Sequence, residues 1–315
     1  MPRRIAFHRL PTEQPLPKSR ELDCLSPLEF LRLMSREDAR AVRAVQRQHA
    51  AIARGVGLIA GALRRGGRLV LLGAGTSGRL GVLEAAECPP TFSTTPSLVQ
   101  AVMAGGRGAV FRSREGAEDD ARAGASALKR RVRAGDVVIG IAASGVTPFV
   151  RAALAASAAR GARTILITGN PRSPIPAAVR IRLAVGPEVL SGSTRLKTGT
   201  ATKLVLNMLT LGAMVQLGKT FGHWMIDVRP TSQKLRARAQ RLVEQLSPCS
   251  PRAAREALRR SGGSVKAAIL IARHRLTDAQ ARGQLAETGG SLRNALQNRK
   301  LSGQVTKWLS GRKAE

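Results

Sequence analysis

Acidic residues, aromatics and cysteines are all scarce in this 315-residue chain, and each shortage removes a class of function. Three cysteines, Cys24, Cys88 and Cys249, are odd in number, far apart and without a C-x-x-C pair, so neither a disulfide framework nor a zinc site is indicated. Four histidines form no ligand-spaced cluster, and neither a metal nor another cofactor is implied. Aromatics make up 3% of the chain and tyrosine is absent, which leaves little for stacking nucleic-acid bases. No stretch approaches the roughly 18 apolar residues of a membrane span. The first residues, Met1-Pro-Arg-Arg-Ile-Ala-Phe-His8, lack an apolar signal core. A cytoplasmic protein with no membrane partner is expected. There is no internal repeat or low-complexity linker.

The shortage of acid has a counterpart in 52 Lys and Arg against 20 Asp and Glu, a net charge of +32. Such a field raises polyanions as partners, but its distribution argues against a dedicated surface. Basic residues occur almost everywhere, and the densest run, Lys129-Arg-Arg-Val-Arg133, is short. Arg299-Lys300 and the tail Lys307…Arg312-Lys313 would attract polyanions nonspecifically, and Arg65, Arg130 and Arg131 are assigned no role. No specific nucleic-acid partner is expected. The same field would draw a small anionic ligand inward.

Within this framework the most informative segment is Gly73-Ala-Gly-Thr-Ser-Gly-Arg-Leu-Gly81. It follows Arg68-Leu-Val-Leu-Leu72, an apolar run that reads as a buried parallel strand, and opens a helix near Ser77. Gly73, Gly75 and Gly78 allow a sharp turn and close approach to an anion, and the helix N-terminus favours negative charge. The spacing also fits the dinucleotide fingerprint, but that motif needs an acid after the next strand. Here the strand at about Leu98–Met103 runs into Ala104-Gly-Gly-Arg107, while Thr76 and Ser77 place two hydroxyls where a phosphoryl group would sit. A structural strand–helix turn would account for the glycines, not for the paired hydroxyls. A second such loop, Ala143-Ser144-Gly145-Val146-Thr147-Pro148, follows the strand Asp136–Ala142. A third hydroxyl-rich loop, Glu188 to Thr200 with Ser191, Ser193 and Lys197, opens a long helix over Arg195–Leu217.

Along the chain, Ser26-Pro27 reads as a cap and first-turn proline, a second helix is expected from Ser35-Arg-Glu-Asp38 through Leu63, and Gly66-Gly67 stops it. Strands alternate with helices from Arg68 to about Val185, the doubly wound α/β pattern. Beyond Ser247-Pro248, short helices are expected at about 252–260, 263–273 and 277–286. The expected sections are an N-terminal arm with helices (1–66), a phosphate-binding α/β domain (67–230) and a small helical domain (231–315).

Five motifs, Gly73–Gly81, Glu87-Cys-Pro-Pro90, Glu115-Gly-Ala-Glu-Asp119, Ala142–Pro148 and Ser191–Lys203, resemble the N-acetylmuramic acid 6-phosphate etherases, enzymes built on a sugar isomerase (SIS) domain. The resemblance implies a parallel-sheet, three-layer SIS fold, a carbon–oxygen lyase activity without cofactor, and a homodimer whose sites draw on both subunits. It implies that the enzyme converts N-acetylmuramic acid 6-phosphate to N-acetylglucosamine 6-phosphate and D-lactate in cell-wall recycling. The substrate-binding set would be Gly75, Thr76, Ser77, Gly78, Ser144, Gly145, Thr147, Glu188, Ser191, Ser193 and Lys197. Arg195 and Lys197 have an alternative as structural partners of acids. The same architecture occurs in the glucokinase regulatory protein, so a sugar-phosphate sensor is the alternative function.

Cleaving a lactyl ether by elimination needs a base for the C2 proton and a donor for the departing oxygen. Glu87 matches the family's proton donor and Glu118 its second catalytic glutamate, to which we assign the base. Glu87 is expected at a helix C-terminus before a Pro-Pro corner, where dipole and burial raise its pKa. Glu118 is expected in the first turn of the next helix, where the dipole keeps it ionised; without the resemblance, a helix-stabilising acid is the simpler reading. Glu115, Asp119 and Asp120 carry that simpler role. Leu16, Val146 and His223 depart from the family pattern, where asparagine, arginine and asparagine respectively are usual, and His223-Trp224 is expected to pack on a helix-like stretch.

Overall fold

The computed structural model describes residues 6–129, 131–228, 230 and 232–297; Arg130, Arg299, Lys300, Lys307, Arg312 and Lys313 lie outside them. Two compact units are present. The first holds the described residues up to Glu87 together with Thr95–Ala213, and the second holds Cys88–Thr94 and those from Met214 onward. The described residues before 67 therefore belong to the same unit as the sheet, and the units divide near Ala213 where a break after 230 was expected.

In the first unit, α1 (Pro27–Gln46) begins at Ser26, whose side chain and backbone form a reciprocal capping box with Glu29. No break occurs at Ser35. Leu33, Glu37, Ala41 and Ala44 are buried at helical spacing straight through that point, so one amphipathic face stays continuous. The helix ends instead at Gln46, with Arg47 as its C-cap, and α2 spans His49–Arg64.

The sheet contains β1 (Leu69–Gly73), β2 (Val99–Met103), β3 (Val137–Ile141), β4 (Arg163–Thr168) and β5 (Val179–Arg182), all parallel in the order β2-β1-β3-β4-β5. Every residue of β1 and β3 is buried, as their unbroken apolar runs required. Each fully buried Val, Leu or Ile side chain contributes about 1.5–3 kcal/mol relative to exposure. One face packs on α4 (Ala121–Lys129) and α5 (Pro148–Ala159) through Val70, Leu72, Val138, Leu128, Val150 and Leu154. Helix α2 packs on β3 and β5. The chain leaves β1 toward β2 and returns on the other side as β3, so the loops after β1 and β3 flank the switch point where such sheets bind ligands.

Two further helices carry the site. Helix α3 (Gly75–Phe92) runs through Pro89 and Pro90, so the expected corner after Cys88 is absent. Proline's fixed φ suits a helix, and the loss of two donors so near its end leaves only the Ala85 and Ala86 carbonyls without their i+4 partners. Ser93, at φ 52°, ends it. Helix α6 spans Lys197–Gln216.

In the second unit, β6 (Thr220–Phe221) and β7 (Trp224–Met225) form an antiparallel hairpin, so His223 sits in a turn and its helix-like reading is corrected. Gly222, at φ 54°, supplies the left-handed backbone that the turn requires. The His223 and Trp224 rings lie 4.3 Å apart. Helices α7 (Gln233–Leu246), α8 (Pro251–Arg260), α9 (Val265–His274), α10 (Asp278–Glu287) and α11 (Leu292–Gln297) enclose a core of Leu242, Val243, Ile269 and Leu270.

Candidate functional site

The turn from β1 into α3 is possible only with glycine. A Cβ on Gly78 would lie 2.5 Å from the Gly73 carbonyl oxygen, and one on Gly73 would lie 2.8 Å from the Gly78 nitrogen. That contact folds the backbone back on itself and opens the N-terminus of α3, with Thr76 and Ser77 half-buried beside it. Arg79 anchors the far side, donating to the carbonyls of Val110 at 2.8 Å and Ala109 at 3.0 Å. A cavity of about 150 Å³ lies here, lined among others by Gly75, Arg79, Met103, Glu115 and Glu118.

Glu118 sits in a turn before α4, not within its first turn as expected. Asp120 takes the capping role by accepting the Ala123 N–H at 2.7 Å, leaving Glu118 two residues before the cap and beyond the favourable reach of the helix dipole. Desolvation, and then the negative charges of Asp119, Glu115 and Glu13, push its carboxyl above the usual carboxylate range. The expectation of a low-lying Glu118 is thereby reversed. Its backbone carbonyl accepts the Phe149 N–H at 3.0 Å, which seats the turn against the start of α5, next to Thr147 and Pro148.

The loop after β3 is held by residues that sequence reasoning missed. Gly145 has φ 72°, and a Cβ there would lie 2.7 Å from Ser173 Cβ and from Thr168 Oγ1. Ser173 donates to the Gly145 carbonyl at 2.5 Å, and Asn170 donates to the Ser144 carbonyl at 2.9 Å. Thr168-Gly-Asn-Pro171 is a hydroxyl- and glycine-bearing turn closing an apolar strand, the same signal that marked the two recognised loops. The Ser144 and Thr147 hydroxyls are 3.5 Å apart.

In the third loop the expected ligands divide. Ser191 and Ser193 lie on its accessible side, exposed and half-buried respectively. Glu188 is fully buried, and its carboxylate accepts the Lys197 N–H at 3.0 Å, the Thr198 N–H at 2.9 Å and the Thr198 hydroxyl at 2.8 Å. It thus caps α6 from within. Lys197, 1% exposed, pairs with buried Glu37 at 2.5 Å. These two residues shape the loop from behind, in line with the structural alternative for Lys197. The loop meets the others: a Cβ on Gly199 would be 3.8 Å from Thr76 Cγ2, and one on Gly169 would be 3.2 Å from Thr198 Cγ2 and 3.0 Å from the Ala143 oxygen.

The N-terminal arm adds a carboxylate that was not anticipated. The Gly192 N–H donates to the Thr12 carbonyl at 3.1 Å, and a Cβ on Gly192 would meet Glu13 Oε2 at 3.2 Å. The charge of Glu13 bears on Glu118. Leu16 packs with Leu33 and Val189, and Val146 is 8% exposed.

Glu87 stands apart. It is exposed rather than buried, and it lies twelve residues along α3 from Gly75, about 18 Å at the usual helical rise. One turn back, Glu84 accepts the Thr210 hydroxyl, tying α3 to α6. Among the described residues no group of three His, Cys, Asp or Glu is placed to hold a metal ion.

The chain matches a family model described as the glucokinase regulatory protein N-terminal SIS domain over residues 51–158, and a SIS domain model over residues 121–212. It is 49% identical over 268 residues to the N-acetylmuramic acid 6-phosphate etherase of Symbiobacterium thermophilum, covering 84% of this chain and 89% of that protein. The etherase of Gloeobacter violaceus is 51% identical over 297 residues, covering 93% and 96%. That of Synechocystis sp. is 48% identical over 301 residues, covering 94% and 99%. Among solved structures, a phosphoheptose isomerase from Neisseria gonorrhoeae aligns with a TM-score of 0.45 at 18% identity, covering 61% of this chain and 98% of that one.

Proposed function

The chain belongs to the N-acetylmuramic acid 6-phosphate etherase family, and from that premise we propose that the three converging loops hold the substrate while Glu118 and Glu87 carry the proton transfers. The enzyme cleaves the D-lactyl ether of N-acetylmuramic acid 6-phosphate, giving N-acetylglucosamine 6-phosphate and D-lactate. The phosphate rests on the N-terminus of α3, with Gly75, Thr76, Ser77 and Gly78, and on Ser144, Gly145 and Thr147; Ser191 and Ser193 face the sugar.

In the open-chain sugar the C1 aldehyde acidifies the C2 proton. Glu118 removes it, the C3–O bond breaks, and Glu87 protonates the departing lactate oxygen. Water then adds at C3, giving its proton to Glu87, while Glu118 returns a proton to C2. Atoms balance, and both carboxyl groups end as they began. A raised pKa makes the ionised Glu118 a stronger base, so the reversal found above suits this role. Glu188 and Lys197 keep the third loop in place.

Glu87 cannot reach a substrate about 18 Å away at the head of its own helix, so it serves the site of a second copy. Leu83 on α3 is 50% exposed and Leu211 on α6 is 50% exposed, in two helices joined through Glu84 and Thr210. Apolar residues left on that face suit a homodimer contact. No helix among the described residues is long and apolar enough to cross a membrane, and we place the reaction in the cytoplasm, with a sugar phosphate and no specific nucleic acid as partner.

The observation that carries the reading is the meeting of three hydroxyl-bearing loops beside a carboxyl held above its ordinary range. D-lactate release from N-acetylmuramic acid 6-phosphate tests it. Glu118→Gln and Glu87→Gln are expected to slow release by about 100-fold or more. Substrate binding without any release by the unaltered protein would instead make it a sugar-phosphate sensor.

A further inference from the structure

A second cavity, of about 1280 Å³, lies between the N-terminal arm, Val146 and the loop after β4. Its charged lining consists of Arg9, Arg151 and Arg172, with no acidic residue. Among the described residues these guanidinium groups form no ion pair and no side-chain hydrogen bond. The position of Arg172 is set by its own N–H, which donates to Asn170 Oδ1 at 2.9 Å. Three unbalanced positive charges around one hollow repel one another unless an anion joins them. Planar guanidinium forks match phosphate oxygens in pairs. The rest of the lining sets the amides of Gln14 and Asn170 beside an apolar side, with Phe7 61% exposed and Leu10, Pro171 and Pro174 around it. A cavity above the roughly 300–1,000 Å³ common for small-molecule sites has room for more than one sugar phosphate.

We propose that this cavity binds a nucleoside di- or triphosphate, with its phosphates on Arg151 and Arg172 and its base against the Phe7 ring. Aromatic faces receive planar bases in offset stacking. The hollow borders the substrate loop at Val146, and Asn170, which seats Arg172, also holds the Ser144 carbonyl of that loop at 2.9 Å.

Calorimetric titration of the full chain with ATP, at about 0.15 M salt to screen the general positive field, tests the assignment. Saturable one-to-one binding is expected. Arg151→Gln combined with Arg172→Gln should weaken it at least about tenfold, Phe7→Ala should weaken it measurably, and Arg252→Gln on α8 should leave it unchanged. Lactate release by the same variants verifies that they fold. The proposal is overturned if ATP does not bind, if Arg252→Gln weakens binding as much as the cavity variants, or if inorganic pyrophosphate binds as tightly as ATP and Phe7→Ala changes nothing. Displacement of ATP by N-acetylglucosamine 6-phosphate would also overturn it, since the hollow would then belong to the catalytic site.

Discussion

Glu118 illustrates how a residue can be legible in sequence while its protonation is not. Its place in Glu115-Gly-Ala-Glu-Asp119 marked it as a candidate, but one turn of chain decided which acid caps α4. Asp120 took the cap, and Glu118 was left among like charges with its solvation reduced. The sign of the consequence follows directly. A base must be ionised, so a raised pKa moves the acid limb of the kcat/KM profile to higher pH. Removing a neighbouring negative charge lowers that pKa again. Glu13→Gln should therefore shift the acid limb to lower pH while leaving the basic limb in place, as a pH–rate profile of lactate release would record. An unmoved acid limb would mean that Glu13 does not act on the base. Glu13 itself was hidden because its neighbours Gly192 and Glu118 are distant in sequence.

Between elements, the buried pair Glu37–Lys197 joins α1 to the start of α6 and so fixes the third loop. Glu37 read only as part of a helix start, and Lys197 as a ligand with a structural partner among the acids as the alternative, so the pairing itself was not legible. Burial pushes the Glu37 carboxyl up, but the hydrogen bond and charge of Lys197, together with Arg40, outweigh it and hold the group below its ordinary value of 4.5. A depressed carboxylate stabilises the fold fully above that ordinary value, and the contribution is lost as the pH falls through the lowered folded value. Glu37→Gln should flatten this acid-side loss in urea unfolding curves. Lys197→Met alone strands a buried charge and should cost about 3–5 kcal/mol, whereas Lys197→Met with Glu37→Leu should recover most of it. Equal destabilisation by the single and double variants would exclude the pair as an anchor of the loop.

For the assembled protein, the decisive length is that of α3. In the proposed mechanism, a helix that starts at the phosphate and carries Glu87 twelve residues on separates the two by about 18 Å, which assigns Glu87 to the site of a second copy. On the proposed homodimer, Leu211→Glu should give a monomer in sedimentation equilibrium and abolish lactate release together with it. Mixing Glu87→Gln with a Thr76→Val, Ser77→Ala variant should restore about a quarter of the activity, because half the dimers are mixed and each has one intact site. No recovery would return Glu87 to its own protomer's site or remove it from the chemistry.

Local chemistry alone specified the strands β1 and β3, the glycine turns, the cap at Ser26 and the helices α8 to α10, since apolar runs, turn residues and caps act over a few neighbours. The doubly wound sheet followed from the alternation of those elements. Continuity of α1 past Ser35 depended on which face was buried, and the passage of α3 through Pro89-Pro90 depended on where that helix ended. Packing between distant segments decided that Thr168, Asn170 and Ser173 brace the second loop, that Glu188 and Lys197 turn inward, and that the charge of Glu13 bears on Glu118. Those choices lie beyond the sequence because a side chain's partner, and with it its charge, is set by residues that only the fold brings near.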